Sequence, residues 1–266
     1  MIFAERIDKI YNEVGFVVGG HRGDLTNYPE NTMASYKAAV EAGADMLEID
    51  VQLSSDGIPV LLHDVLLDRT TNGSGPANRL SLKELKALDA GSWFSDKFKG
   101  EQIPTVEELF KWAQDYPELL LDVEIKEKDS GFKCADEIVK LIDKYDLRDK
   151  VVFNALDAQI LEYCHDKHGF PLQCVYAGRY LSAAQNYRTG TDGTFSKAYC
   201  GMLHANDLCN EYVQLAFNQG KEAWITLPAG KEEEIIAKAS RLGIKVAVCN
   251  APGAAISAAR KLKLRK

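Results

Sequence analysis

A (β/α)8 barrel of the TIM type, with a small insertion after its third strand, is the fold this sequence predicts. Three observations predict it. The chain has 266 residues, and a barrel of this kind takes about 250 as one domain. Short, β-branched apolar stretches alternate with longer amphipathic ones, the pattern of a parallel sheet with helical crossovers. Charged and imidazole side chains gather at the C-terminal ends of the early strands, where such barrels bind their ligands. The expectation is one domain over residues 1–266 with an inserted subdomain at about 65–104.

Taken in order, the strand candidates are FVVGG (16–20), MLEIDVQL (46–53), PVLLHD (59–64), LLLDVEI (119–125), VVFNAL (151–156), LQCVYA (172–177), CGMLHA (200–205), AWITL (223–227) and KVAVCN (245–250). Nine candidates are one more than a closed eight-stranded barrel needs, so one is an accessory strand or no strand at all. Helical patterns lie between most of them. TMASYKAAVEAG closes at Gly43, and TVEELFKWAQDY opens with a capping box of Thr105 and Glu108. Residues 54–58 are too few for a helical crossover, so the chain turns back at Asp56-Gly57. Residues 65–104 are too many for a plain connection. They hold the turn-rich TTNGSGPAN and a short helix, SLKELKALDAG, capped by Ser81 and Glu84.

Composition excludes some classes. A hydrophobic fraction of 46% is ordinary for a globular chain. A net charge of −7 and a pI near 5.4 argue against a nucleic-acid binder, which needs a basic face. The N-terminus has charges every few residues and reads as no signal peptide, and no run is long enough to span a membrane. The expected location is the cytoplasm, with no stable membrane insertion. The six cysteines form no CxxC pair and read as buried free thiols. The basic end from Arg260 to Lys266 reads as a solvated helix end before a lipid-binding one.

Four clusters carry chemistry. His21-Arg22-Gly23 follows the first strand. An imidazole exchanges protons near neutral pH, and a guanidinium fork suits phosphate oxygens. Glu48 and Asp50 end the second strand. Residues i and i+2 share a face, so both carboxylates point into the barrel mouth, where a hard divalent cation offsets their desolvation. His63-Asp64 ends the third. Asp122, Glu124 and Lys126 share one face of the next strand. Taken singly, each could be a turn, a salt bridge or a core histidine. Together they have the parts for phosphoryl chemistry: a cation to neutralise the anion, Arg and Lys for its oxygens, and two histidines as base and acid.

These motifs also resemble the glycerophosphodiester phosphodiesterase family. The resemblance runs from His21-Arg22-Gly23 through Pro29-Glu30-Asn31-Thr32, Glu48-Ile49-Asp50-Val51 and Asp56-Gly57-Ile58-Pro59-Val60 to His63-Asp64. It continues in Asp68-Arg69-Thr70-Thr71-Asn72-Gly73, Leu88-Asp89-Ala90-Gly91, Ile103-Pro104-Thr105 and Glu124-Ile125-Lys126. It implies a β/α barrel with an insertion after the His-Asp motif. It implies His21 and His63 as the acid/base pair, and Glu48, Asp50 and Glu124 as ligands of one Mg2+ or Ca2+ ion. Arg22 and Lys126 would contact phosphate. The implied partner is a small glycerophosphodiester, cut to glycerol 3-phosphate and an alcohol. The second half departs from the family pattern at Trp224-Ile225-Thr226-Leu227-Pro228 and Val248-Cys249-Asn250-Ala251-Pro252, which bears on substrate identity. Two alternatives stand beside this reading: a lysophospholipase D-type enzyme with an apolar lip at Trp93, Phe94 and Phe98, and a non-catalytic binder of phosphorylated polyols. The sequence does not give the oligomeric state.

Overall fold

Eight parallel strands close on themselves in a computed structural model that describes residues 2–127, 130–175 and 194–266. They are β1 (Val17–His21), β2 (Met46–Leu53), β4 (Leu120–Ile125), β5 (Val151–Asn154), β6 (Leu172–Val175), β7 (Cys200–His204), β8 (Glu222–Leu227) and β9 (Val246–Cys249). Each pairs with the next in that order, and β9 returns to β1. The surplus candidate is β3 (Pro59–Leu61), which runs antiparallel to the upper end of β2, with Leu53 opposite Pro59 and Val51 opposite Leu61. The expected tight turn joins them: Gly57 has φ +82° and its N–H donates to Ser54 O at 2.9 Å. His63 and Asp64 lie past the end of β3, free of the ladder. Of the sixth strand candidate, Tyr176 and Ala177 lie outside the described residues.

The helices start where their caps predict. Thr32 caps α2 (Met33–Glu41), Ser81 and Glu84 form the capping box of α3 (Leu82–Lys86), and Thr105 and Glu108 that of α4 (Val106–Ala113). The segment between β3 and α4 builds a small core of its own from Leu62, Leu67, Ala77, Leu85, Ala90 and Ile103 under Val60. Trp93, Phe94 and Phe98 stack on one another, and Phe98 reaches Tyr28 at 5.2 Å between ring centroids. This ties Phe98 to the β1–α2 loop, while Trp93 stays exposed.

The helix α1 (Phe3–Val14) closes the N-terminal end of the barrel. Phe3, Ile7 and Ile10, spaced for one helix face, pack with the lumen residues Met46, Leu120, Trp224 and Val246. The C-terminus is locked beside it. Arg265 Nη1 and Nη2 donate to Asp45 at 2.5 and 2.9 Å, and Asp45 also accepts from Val18 N at 2.9 Å. Arg265 is therefore engaged in a buried pair rather than solvated. Asp45→Ala removes the counter-charge of that buried guanidinium and leaves it only the Phe16 and Gly43 carbonyls, which costs about 3 kcal/mol. The urea midpoint should fall with an unchanged m-value.

Among the described residues no helix is long and apolar enough to cross a membrane. All six cysteines are free, and Cys209 alone is not fully buried.

Candidate active site

The mouth of the barrel is built by neighbouring strand ends. Glu48 and Asp50 on β2 lie opposite Asp122 and Glu124 on β4, so period-2 alternation points four carboxylates inward. One oxygen each of Glu48, Asp50 and Glu124 comes within 4.8 Å of the others. Two cations meet this group. Lys126 Nζ donates to Glu124 Oε1 at 2.5 Å and lies 3.1 Å from Asp50 Oδ1, while Arg22 Nε lies 3.0 Å from Asp50 Oδ2. Four carboxylates against two cations leave two negative charges. Burial, then Asp50 and Glu124, push the Glu48 carboxyl well above its usual range. Burial, then Glu124 and Asp50, do the same to Asp122. Asp50 moves the other way: burial opposes, but Lys126 and Arg22 hold it down. Glu48 Oε1 is buried with no hydrogen bond, and Asp50 Oδ1 has none despite the nearby ammonium. Oxygen donors, surplus negative charge and two unsatisfied atoms fit a hard divalent cation. Glu48, Asp50 and Glu124 are the residues that would hold it.

Two residues that motif reading had left without roles shape this cluster. Asn31 donates from Nδ2 to Asp50 Oδ2 at 2.8 Å and accepts from Asp50 N and Tyr36 OH. Glu30 accepts from Arg22 Nη1 at 2.9 Å. Arg22 and Asn31 both have φ +55°, uncommon for side-chain-bearing residues and typical of sites that the surroundings hold in place. Arg22 is held by its N–H on Glu48 O and Oε2, both at 3.0 Å. Gly23 allows the close pass of this loop over α2, since a Cβ there would sit 2.3 Å from Ser35 Oγ.

The two histidines sit in opposite surroundings. His21 Nδ1 donates to Asn250 Oδ1 at 2.8 Å, which leaves Nε2, 3.9 Å from Glu48 Oε2, as the proton acceptor. Burial and then Arg22 lower its pKa to about 4, so it stays neutral. His63 Nδ1 donates to the Asp64 carboxylate at 2.5 Å. Asp64 is held by Arg69 Nε, the first cause of its pKa falling to about 2, so an anion faces the His63 ring. Arg69 also forks onto Glu30 at 2.7 and 2.8 Å. One chain of contacts thus runs from His63 through Asp64, Arg69, Glu30 and Arg22 to Asp50.

All seven predicted site residues gather at this mouth. Arg22 and Lys126 are engaged with carboxylates here. A neutral base, an imidazole backed by a carboxylate and a cation-ready acidic cluster suit in-line displacement at phosphorus.

Sequence comparison decides the lineage. Residues 21–248 match the glycerophosphoryl diester phosphodiesterase family. The chain belongs to that family. A glycerophosphodiester phosphodiesterase of Caldanaerobacter subterraneus subsp. tengcongensis is 41% identical over 164 residues, which cover 59% of this chain and 67% of that relative. One from Bacillus altitudinis is 34% identical over 146 residues, 54% of this chain and 60% of that relative. Among solved structures, an Oleispira antarctica phosphodiesterase in complex with the product sn-glycerol-3-phosphate aligns with a TM-score of 0.80 at 26% identity. It covers 94% of this chain and 98% of that one. A glycerophosphodiester phosphodiesterase from Agrobacterium tumefaciens aligns at 0.74 and 22% identity, covering 90% and 98%, and speaks for the fold. Family membership and barrel thus agree with the reading from the motifs.

Proposed function

We propose that this chain hydrolyses glycerophosphodiesters to glycerol 3-phosphate and an alcohol, acting as one barrel unit with 65–104 as its insertion. The observation that carries the reading is a pair of histidines, one held by Asn250 and the other by Asp64, at a cation-ready acidic mouth. His21, neutral with Nε2 open, takes the proton of the attacking hydroxyl. His63, oriented by its Nδ1 contact with Asp64, gives a proton to the departing alkoxide. Arg22 and Lys126 hold non-bridging phosphate oxygens as substrate draws them from their carboxylates. Glu48, Asp50 and Glu124 hold one Mg2+ or Ca2+ ion, which when bound neutralises phosphate charge as a Lewis acid. Mere binding of a phosphorylated polyol needs no such histidine pair.

The test is turnover of choline, ethanolamine, glycerol and inositol diesters of glycerol 3-phosphate, with Mg2+ and with Ca2+, reading glycerol 3-phosphate released. No release from any of them with either ion would refute the proposal. A second reading, an acyl-bearing diester, is favoured by Val65 and Leu66, about half exposed directly after His63-Asp64. A lysophospholipid in the same panel decides it.

Arg69 is a positioning residue in this scheme. Arg69→Ala should lower kcat by about 10–100-fold, the usual cost of losing a supporting contact. Arg69→Lys should recover only part, since Lys lacks the fork that spans Asp64 and Glu30. Equal activity of all three proteins would show that the bridge serves only to fasten the insertion.

A further inference from the structure

Each of the three carboxylates that converge at the mouth is tied down by one of its oxygens. Glu48 Oε2 accepts from Arg22 N at 3.0 Å, Asp50 Oδ2 from Asn31 Nδ2 at 2.8 Å, and Glu124 Oε2 from Asn154 Nδ2 at 3.3 Å. The oxygens left over are Glu48 Oε1 and Asp50 Oδ1, both buried without a hydrogen bond, and Glu124 Oε1. Asp50 Oδ1 and Glu124 Oε1 lie 3.1 and 2.5 Å from one ammonium, Lys126 Nζ, so they already converge on a single cation.

Asn154 stands apart from the other two ties, which come from the β1–α2 loop. It ends β5, where its Cα pairs with Glu124 on β4 and with Gln173 on β6. Phe153 and Ala155 pack outward in the main core, so alternation turns Asn154 into the lumen. Leu172 and Cys174 do the same for Gln173. A carboxylate only accepts, so the Asn154 amide has to present its nitrogen to Glu124. Its Oδ1 is left buried with no donor, and the fully buried Gln173 has no partner at Nε2 or Oε1. Buried polar atoms are nearly always paired. Here an acceptor lacking a donor and a donor lacking an acceptor stand in register on adjoining strands.

We propose that Asn154, backed by Gln173, is a positioning residue that clamps Glu124 to ligation through one oxygen and so tilts the site toward Mg2+ over Ca2+. Ca2+ gathers roughly six to eight oxygens and readily takes both from one carboxylate, whereas Mg2+ demands a near-octahedral set at shorter range. With Glu48, Asp50 and Glu124 each tied at one oxygen, two-oxygen ligation needs a tie to break. The Glu48 tie is a backbone N–H, and the Asp50 tie shares its oxygen with Arg22. The Glu124 tie is the longest and can be removed alone. The proposal rests on the cation-site reading above and concerns which ion that site selects.

Titration calorimetry of the ion-free protein with MgCl2 and with CaCl2 tests it without turnover. Asn154→Ala and Asn154→Leu should each weaken Mg2+ binding by about 10–100-fold, the usual cost of losing a ligand's outer contact. Ca2+ binding should hold or tighten, since a released Glu124 offers both oxygens. Leu keeps the side-chain volume, so agreement between the two variants assigns the change to the lost donor. Gln173→Leu should move the ratio of the two affinities the same way by a smaller factor. Unchanged Mg2+ affinity in the Asn154 variants, or an equal loss for both ions, overturns the proposal. An unchanged ratio in Gln173→Leu removes Gln173 from the clamp. If the unaltered protein binds neither ion, the cation site itself falls, and the proposal with it.

Discussion

Alanine at His21 and alanine at His63 should each cut kcat by roughly 10²–10⁴-fold, the scale of one general acid or base. The two losses should differ in kind. Asn250 fixes the His21 tautomer from a neutral carbonyl, and burial with Arg22 nearby holds the ring near a pKa of about 4. Such a ring is neutral at neutral pH and presents Nε2 as its acceptor. His63 donates from Nδ1 to the Asp64 carboxylate, itself lowered to about 2 by Arg69. A substrate whose leaving group is p-nitrophenol departs without a proton. It should largely restore His63→Ala and leave His21→Ala impaired. The double variant should lose far less than the product of the two single losses, because the pair acts as a unit. Both variants should keep their metal-dependent gain in melting temperature, since the proposed ligands are carboxylates. Rescue of His21→Ala instead would reverse the assignment. Equal rescue of both would end the division of labour.

What the sequence made legible is what local rules govern. Short apolar runs marked all nine strands, and capping boxes at Ser81 and Thr105 marked two helix starts, because both signals span only a few residues. The inward pairs Glu48/Asp50 and Asp122/Glu124 followed from alternation alone. The missing parts act across distance. Asn250 meets His21 from 229 residues away, and Arg69 meets Glu30 from 39 away. No window of sequence contains either pair. The role of α1 was hidden for another reason. Phe3, Ile7 and Ile10 read as an ordinary amphipathic face, and only barrel closure shows that it covers the lumen. The C-terminal basic run misled because charge alone does not distinguish solvated Lys from the buried Arg265 beside it. The engagement of Arg22 and Lys126 with carboxylates was equally out of reach, since it depends on how surplus negative charge is shared within the mouth.

Removing divalent ions should abolish turnover, and the same carboxylates should report the ion through stability. Burial, then the neighbouring Asp50 and Glu124, raise the Glu48 pKa, and its Oε1 is unsatisfied, so the ion-free site is under electrostatic strain. An ion that binds only the folded chain stabilises it by about 2.7 kcal/mol at a hundredfold excess over Kd. Adding Mg2+ or Ca2+ to chelator-treated protein should therefore raise Tm. Glu48→Gln and Asp50→Asn should lose most of that rise together with activity. They should part company without ion. Glu48→Gln removes a carboxyl already pushed toward its neutral form, so its ion-free Tm should match or exceed that of the unaltered protein. Asp50→Asn breaks contacts with Arg22, Lys126 and Asn31, so its ion-free Tm should fall. The pH dependence has a definite sign. Glu48 is raised in the ion-free protein and must lose its proton to ligate, so ion affinity should tighten as pH rises toward that raised pKa and level off above it. Calorimetry in two buffers of different ionisation enthalpy would count the protons released. Full activity after exhaustive dialysis against EDTA, or an equal Tm rise in Glu48→Gln, would show that these carboxylates do not hold a catalytic ion.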